Sequence, residues 1–243
     1  MLHQASHWTE IAGVAVSAIL FCRVLALRLY RVYLFITLAC VLDLFFAGAM
    51  LWSGKGSQAS DRISFYSSFI YAFVYPMVAW DVFEEMKTQV GKLRRLAIVR
   101  LISGLFFAVV FGLIMAASIN SSNANGESAF TYTLALVLWA GSTTASFAFL
   151  LTIYRVLRTQ PIVRPNNTNV WMYYYGLSFL SGVVFCFLWL AVPLAKSEAA
   201  REVAKDVLDI ASTTFDIILT SWCILKLRAV ASDLPSASEN ARL

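Results

Sequence analysis

Residues 8–28, WTEIAGVAVSAILFCRVLALR, decide the fold. They make an apolar run of the ~20 residues that one helix needs to cross a bilayer. No Lys or Arg precedes the run in residues 1–10, whereas Arg23, Arg28 and Arg31 close it and follow it. A cleavable signal has the opposite order, with its basic region first. The order here predicts a retained anchor with its N-terminus outside the cell, because basic residues stay on the cytoplasmic side.

Six further runs of the same kind follow. Together the spans are expected at 8–28, 32–53, 62–86, 96–118, 129–157, 170–194 and 206–228. The expected fold is an all-α polytopic bundle of about seven transmembrane helices in a single domain covering 1–243, with a short polar cytoplasmic tail at 229–243. Composition agrees: 60% of residues are hydrophobic and 14% charged, with mean hydropathy +0.72, where a soluble domain is about half apolar and a quarter charged. The net charge of +5 raises the question of nucleic acid, but the basic residues cluster between apolar runs and read as topology. Of the 19 basic residues, only Lys55, Arg62, Lys196, Arg201 and Lys205 fall on the side of the N-terminus. The polar connection Ser118–Ser128 has none. The expected orientation is N-terminus outside and C-terminus cytoplasmic, in the cell (inner) membrane.

Several chemistries have no residues to carry them. The histidines are His3 and His7, both ahead of the first run, so there is no zinc-protease helix, no histidine-based triad and no intramembrane histidine relay. The middle of the seventh run has no Lys on which a retinal Schiff base could form. Cys22, Cys40, Cys186 and Cys223 lack metal or redox spacing and read as packing residues. No catalytic residue, metal or cofactor is expected.

The informative residues are the polar ones within the runs, because an ionisable group facing lipid costs about 2.5–3.5 kcal/mol on insertion scales. In the seventh run Asp206, Asp209, Thr213, Asp216, Thr220 and Cys223 are spaced 3, 4, 3, 4 and 3, one face of a helix. Asp43 lies mid-way along the second run, at the depth of Asp216. The third run adds Ser64, Ser67, Ser68, Tyr71 and Tyr75 on its external half. The expected site is an outward-facing polar pocket of Asp43, Tyr71, Tyr75, Asp209, Thr213, Asp216 and Thr220. The other reading is a dry structural contact of the two carboxylates. Two depth matches are expected lower down: Arg23 with Asp81 as an ion pair, and Tyr173, Tyr174 and Tyr175 as an interfacial aromatic belt. In the fourth run Gly104, Ala108, Gly112 and Ala116, four apart, draw a smooth stripe for close packing. It predicts a central helix or a dimer face. In the fifth, Ser142, Thr143 and Ser146 can bond neighbours or their own backbone.

The stretch from Val78 to Leu105, VAWDVFEEM followed by GKLRRLAIVRLISGL, together with Leu29-Tyr30-Arg31-Val32-Tyr33, resembles a family of uncharacterised seven-helix bacterial inner-membrane proteins. The resemblance covers about a third of the chain. It implies a bacterial inner-membrane location and a third helix ended by an acidic residue with an aromatic partner, as at Asp81–Glu85. It transfers no activity.

Two functions fit. One is a receptor-like or partner-binding module that takes a small ligand, or binds another membrane protein or a second copy of itself. The other is a small-solute or proton-coupled transporter using Asp43 and Asp216, against which the absence of a detectable internal repeat argues. Topology can be tested directly: reporter fusions after Arg95 and Arg228 are expected to read cytoplasmic, and one at Asn123 external. An external signal after Arg95 would refute the seven-span arrangement.

Overall fold

The computed structural model describes residues 2–54, 57–85, 94–120, 126–159, 166–192 and 197–229. They form seven helices: α1 (Leu2–Ala26), α2 (Leu34–Ser53), α3 (Gln58–Glu84), α4 (Arg94–Asn120), α5 (Gly126–Thr159), α6 (Asn166–Ala191) and α7 (Glu198–Lys226). A 3-10 turn, Leu29–Arg31, joins the first two. Every expected run overlaps one of these helices. The expected tail beyond Ala229, and residues 121–125 of the Ser118–Ser128 connection, lie outside the described residues.

Several helices outrun the apolar segments because their polar first turns are capped. Ser57 accepts from the Ser60 amide ahead of α3, and Ser197 from the Ala200 amide ahead of α7. Asp61 and Glu198 then place negative charge on the free amides of those turns. Hydropathy does not register such turns, since they need no apolar residue.

Among the described residues, six helices are long and apolar enough to cross a membrane, and α4 has a shorter described apolar stretch, Ile98–Phe107. Large apolar side chains cover the outside, including Ile19, Leu34, Phe45, Phe106, Phe187 and Ile218, each more than half exposed. A surface of this kind is matched to lipid rather than water. The chain is a multi-pass helical membrane protein.

Packing neighbours run α1, α2, α3, α5, α6, α7 and back to α1, a closed ring of six helices. The seventh, α4, lies outside the ring on α5. This corrects the expectation of a central α4. Gly104 does permit close approach, since a Cβ there would come within 2.8 Å of the Ala145 Cβ, but it serves one neighbour. The surroundings of Ala108, Gly112 and Ala116 lie outside the described residues.

The apolar core occupies one half of the ring. It is built from Leu20 and Val24 of α1, Ile36 and Cys40 of α2, Val78 and Phe83 of α3, Phe149 and Ile153 of α5, Trp171 and Tyr175 of α6, and Cys223 of α7. Polar bonds lock the same end. Asn166 and Asn167 Nδ2 donate to the Lys226 and Arg228 carbonyls, the Arg228 amide donates back to Asn167 Oδ1 at 2.9 Å, and Tyr33 and Thr168 hydroxyls bond at 3.0 Å.

The expected Arg23–Asp81 ion pair is replaced by two other bonds. Asp81 Oδ2 accepts from the amides of Phe35 at 2.6 Å and Ile36 at 3.0 Å. These are free amides of the first turn of α2, whose cap residue, Tyr33, makes no side-chain cap bond. A carboxylate borrowed from α3 therefore caps α2. Arg23 is exposed and donates to the Leu227 carbonyl beyond α7 at 3.3 Å. A second repair lies on α3, which continues through Pro76. Proline has no N–H for the carbonyl four residues back, here Ala72, and the Ser142 hydroxyl of α5 donates to that carbonyl at 2.5 Å.

Two stability measurements in lipid nanodiscs follow. Asp81→Leu is expected to cost about 1–3 kcal/mol for each amide left unpaired, and Asp81→Asn less. Arg23→Leu should add its own loss without any recovery in the double variant. Recovery would restore the ion pair. Ser142→Ala is expected to lower stability by about 1–3 kcal/mol and to lose that effect in a Pro76→Ala background, where the backbone supplies its own donor. An equal loss in both backgrounds would detach Ser142 from the proline.

Candidate functional site

The other half of the ring is hollow. A cavity of about 410 Å³ lies among α3, α5, α6 and α7, lined by Tyr75, Leu136, Trp139, Thr143, Ser178, Phe179, Ser181, Gly182, Phe185, Cys186, Ser212 and Asp216. A second, of about 270 Å³, lies among α1, α2 and α7, with Glu10, Gly13, Ser17, Met50, Thr213, Asp216 and Thr220 in its wall. Asp216 belongs to both. It sits at mid-helix, yet its side chain is open, because the surface it shows faces these spaces. It forms no hydrogen bond with another described residue.

The floor of both cavities is the edge of the core. Phe179 and Tyr75 pack with ring centroids 4.9 Å apart beneath the first. Thr220, bonded to the Tyr174 hydroxyl at 3.3 Å, lies beneath the second. Asp43 is set behind this floor. The Tyr71 hydroxyl donates to its Oδ1 at 2.5 Å, and the Tyr71 ring stacks on Tyr75 with centroids 5.1 Å apart at 28°. Asp43 lines neither cavity, though Asp43 and Asp216 lie within electrostatic reach of each other.

The structure thus brings Tyr75, Thr213, Asp216 and Thr220 of the expected pocket to the cavities. It places Asp43 and Tyr71 as a bonded pair behind them. Asp209 lies outside both linings, with its carbonyl accepting from the Ser212 hydroxyl at 3.1 Å. Ser67 and Ser68 turn back to the Ser64 carbonyl, each at 2.9 Å, so these two serines satisfy their own helix. The expected aromatic belt is also corrected. Tyr173 is exposed, but Tyr175 is buried, and Tyr174 reaches inward to Thr220. Of the α5 hydroxyls, Ser142 bonds α3, Thr143 bonds its own backbone at Trp139, and Ser146 is buried with no partner among the described residues.

Sequence reasoning missed the α5 and α6 walls. Ser178, Ser181, Gly182, Phe185 and Cys186 recur at helical spacing, as do Trp139 and Thr143, so the period was readable. No charge marked those faces as inward. Glu10, at the rim of the second cavity, was missed because it sits near the end of its run. Among the described residues, no three His, Cys, Asp or Glu side chains gather as a metal site would require. The chemistry available at Asp216 is charge pairing and hydrogen bonding in a site partly screened from water. No protein-family model, no curated protein and no solved structure matches the chain.

Proposed function

We propose that the protein is a receptor-like or partner-binding seven-helix membrane module whose hollow half faces outward and takes a small ligand at Asp216. One observation carries this reading: core and polar locks hold one half of the ring, while the two cavities that share the Asp216 carboxylate lie in the other. The volume of the larger cavity falls within the range of small-molecule sites. The orientation is supported by charge. Arg23, Arg28, Arg31, Arg155, Arg158 and Arg228 all gather at the closed end, the side that faces the cytoplasm under the positive-inside rule. The resemblance of Val78–Leu105 to bacterial proteins supports the inner membrane.

The alternative is a small-solute or proton-coupled transporter using Asp43 and Asp216. It gains from the position of Asp216 between two cavities. It requires the closed half, held by core and interhelical bonds, to open as well.

A cysteine scan separates the two. Asp216→Cys, in a background lacking Cys22, Cys40, Cys186 and Cys223, is expected to react with a small membrane-impermeant thiol reagent added from the outside only. Reaction from the cytoplasmic side would favour the transporter. Silence from both sides in a folded protein would reduce Asp216 to a structural contact.

A further inference from the structure

We infer that the cavity among α3, α5, α6 and α7 binds a small organic cation, held between the Asp216 carboxylate and the rings of Tyr75, Trp139, Phe179 and Phe185. The inference rests on the outward-facing reading above and names the class of ligand that reading leaves open.

Charge is the first argument. Asp216 is the one carboxylate in the lining, and no Lys or Arg of the described residues joins it. Asp43, behind the tyrosine floor, lies within electrostatic reach of Asp216. A carboxylate at mid-membrane depth with no hydrogen-bond partner among the described residues is stabilised as an anion when a positive charge meets it. Arg23 and Arg100 are engaged away from this cavity, at the Leu227 carbonyl and at the Thr152 hydroxyl.

Hydrogen-bond polarity points the same way. Thr143 donates its O–H to the Trp139 carbonyl, Ser181 to Ser178 and Ser212 to Asp209, at 2.7, 2.8 and 3.1 Å. With their protons turned to backbone carbonyls, these hydroxyls have acceptor lone pairs left for the cavity. An anion would find few donors here. An ammonium group finds acceptors on several sides.

The rings supply the third argument. Four aromatic side chains from α3, α5 and α6 share the cavity with Asp216. A cation within about 6 Å of a ring centroid is attracted by the ring quadrupole, and aromatic enclosures of this kind recognise alkylated ammonium groups. The cavity among α1, α2 and α7 has carboxylates at Glu10 and Asp216 but no aromatic ring in its lining, which sets the larger cavity apart.

Cys186 lies in the wall and reports on occupancy. A Cys22→Ser, Cys40→Ala, Cys223→Ala variant leaves it as the single thiol. Its labelling rate is then followed with tetramethylammonium, choline or benzylammonium, and with 3,3-dimethylbutanol, the uncharged counterpart of choline. The ammonium probes are expected to slow labelling at least about tenfold and the alcohol to leave it unchanged. Asp216→Asn should abolish protection, and Trp139→Leu should weaken probe affinity about thirtyfold, the scale of one desolvated cation–π contact. Free labelling that no ammonium probe slows would overturn the assignment, as would equal protection by the alcohol. A Cys186 that never reacts in folded protein would instead refute the outward-facing reading itself. The unmodified protein gives an independent check: choline should raise its thermal midpoint and the alcohol should not, and an equal shift with both would again overturn it.

Discussion

Lipid offers no hydrogen-bonding partner, so every polar group within the bilayer must find one inside the protein. That constraint accounts for most of the long-range polar contacts in this bundle. A cap residue whose side chain makes no cap bond leaves the first turn of α2 open, and a carboxylate from α3 closes it. A proline deprives one carbonyl of its donor, and a serine from α5 replaces it. The end of α7 is held by asparagines of α6 and by an arginine of α1. Each repair also fixes the azimuth of the helix that makes it. The Asp216 carboxylate forms no hydrogen bond with another described residue and opens instead on the two cavities.

The two halves of the ring are built differently. In the closed half the rings form a continuous chain: Tyr75, Phe179, Tyr175, Trp171 and Tyr33 follow one another at centroid distances of 4.9, 5.7, 5.9 and 6.2 Å. Aromatic pairs at such spacings add packing energy beyond their buried area, and a floor made of them resists deformation. In the hollow half, small and hydroxylated residues stand between the remaining rings and leave the space unfilled. A rigid floor beneath an open chamber keeps the carboxylate and the rings around it in fixed relation.

Much of this was legible in the sequence, and what was not has definite causes. Hydropathy placed all seven helices, since apolar length is a one-dimensional property. The alternating spacing of Asp209, Thr213, Asp216 and Thr220 marked one face of α7, of which Thr213, Asp216 and Thr220 line the cavities and Asp209 does not. Depth alone could not pair Arg23 with Asp81: it gives height along the bundle but not angle around a helix, and an unfilled backbone amide competes for a carboxylate as effectively as a guanidinium. The Gly104 stripe spoke of closeness, not of how many neighbours a helix has. Tyr174 and Tyr175 looked interfacial because tyrosine suits both a membrane surface and a polar interior, and only the fold decides between them. Trp139 and the serines of α6 carry no charge, so nothing in their helices singled out the face that lines the cavity.

The closure of the ring through α1 and α7 has a consequence for biogenesis. The two helices run in the same direction, with Thr213 so near Gly13 that a Cβ there would come within 3.3 Å of its methyl group. Because α7 is synthesised after the other six, α1 must wait in the bilayer, its inner face against lipid or an insertion factor, until its neighbour arrives. The chamber has no complete wall before that moment, and Asp216 enters on the helix that completes it. The chamber and the sealed bundle therefore come into being in the same step, and a chain halted before α7 has neither.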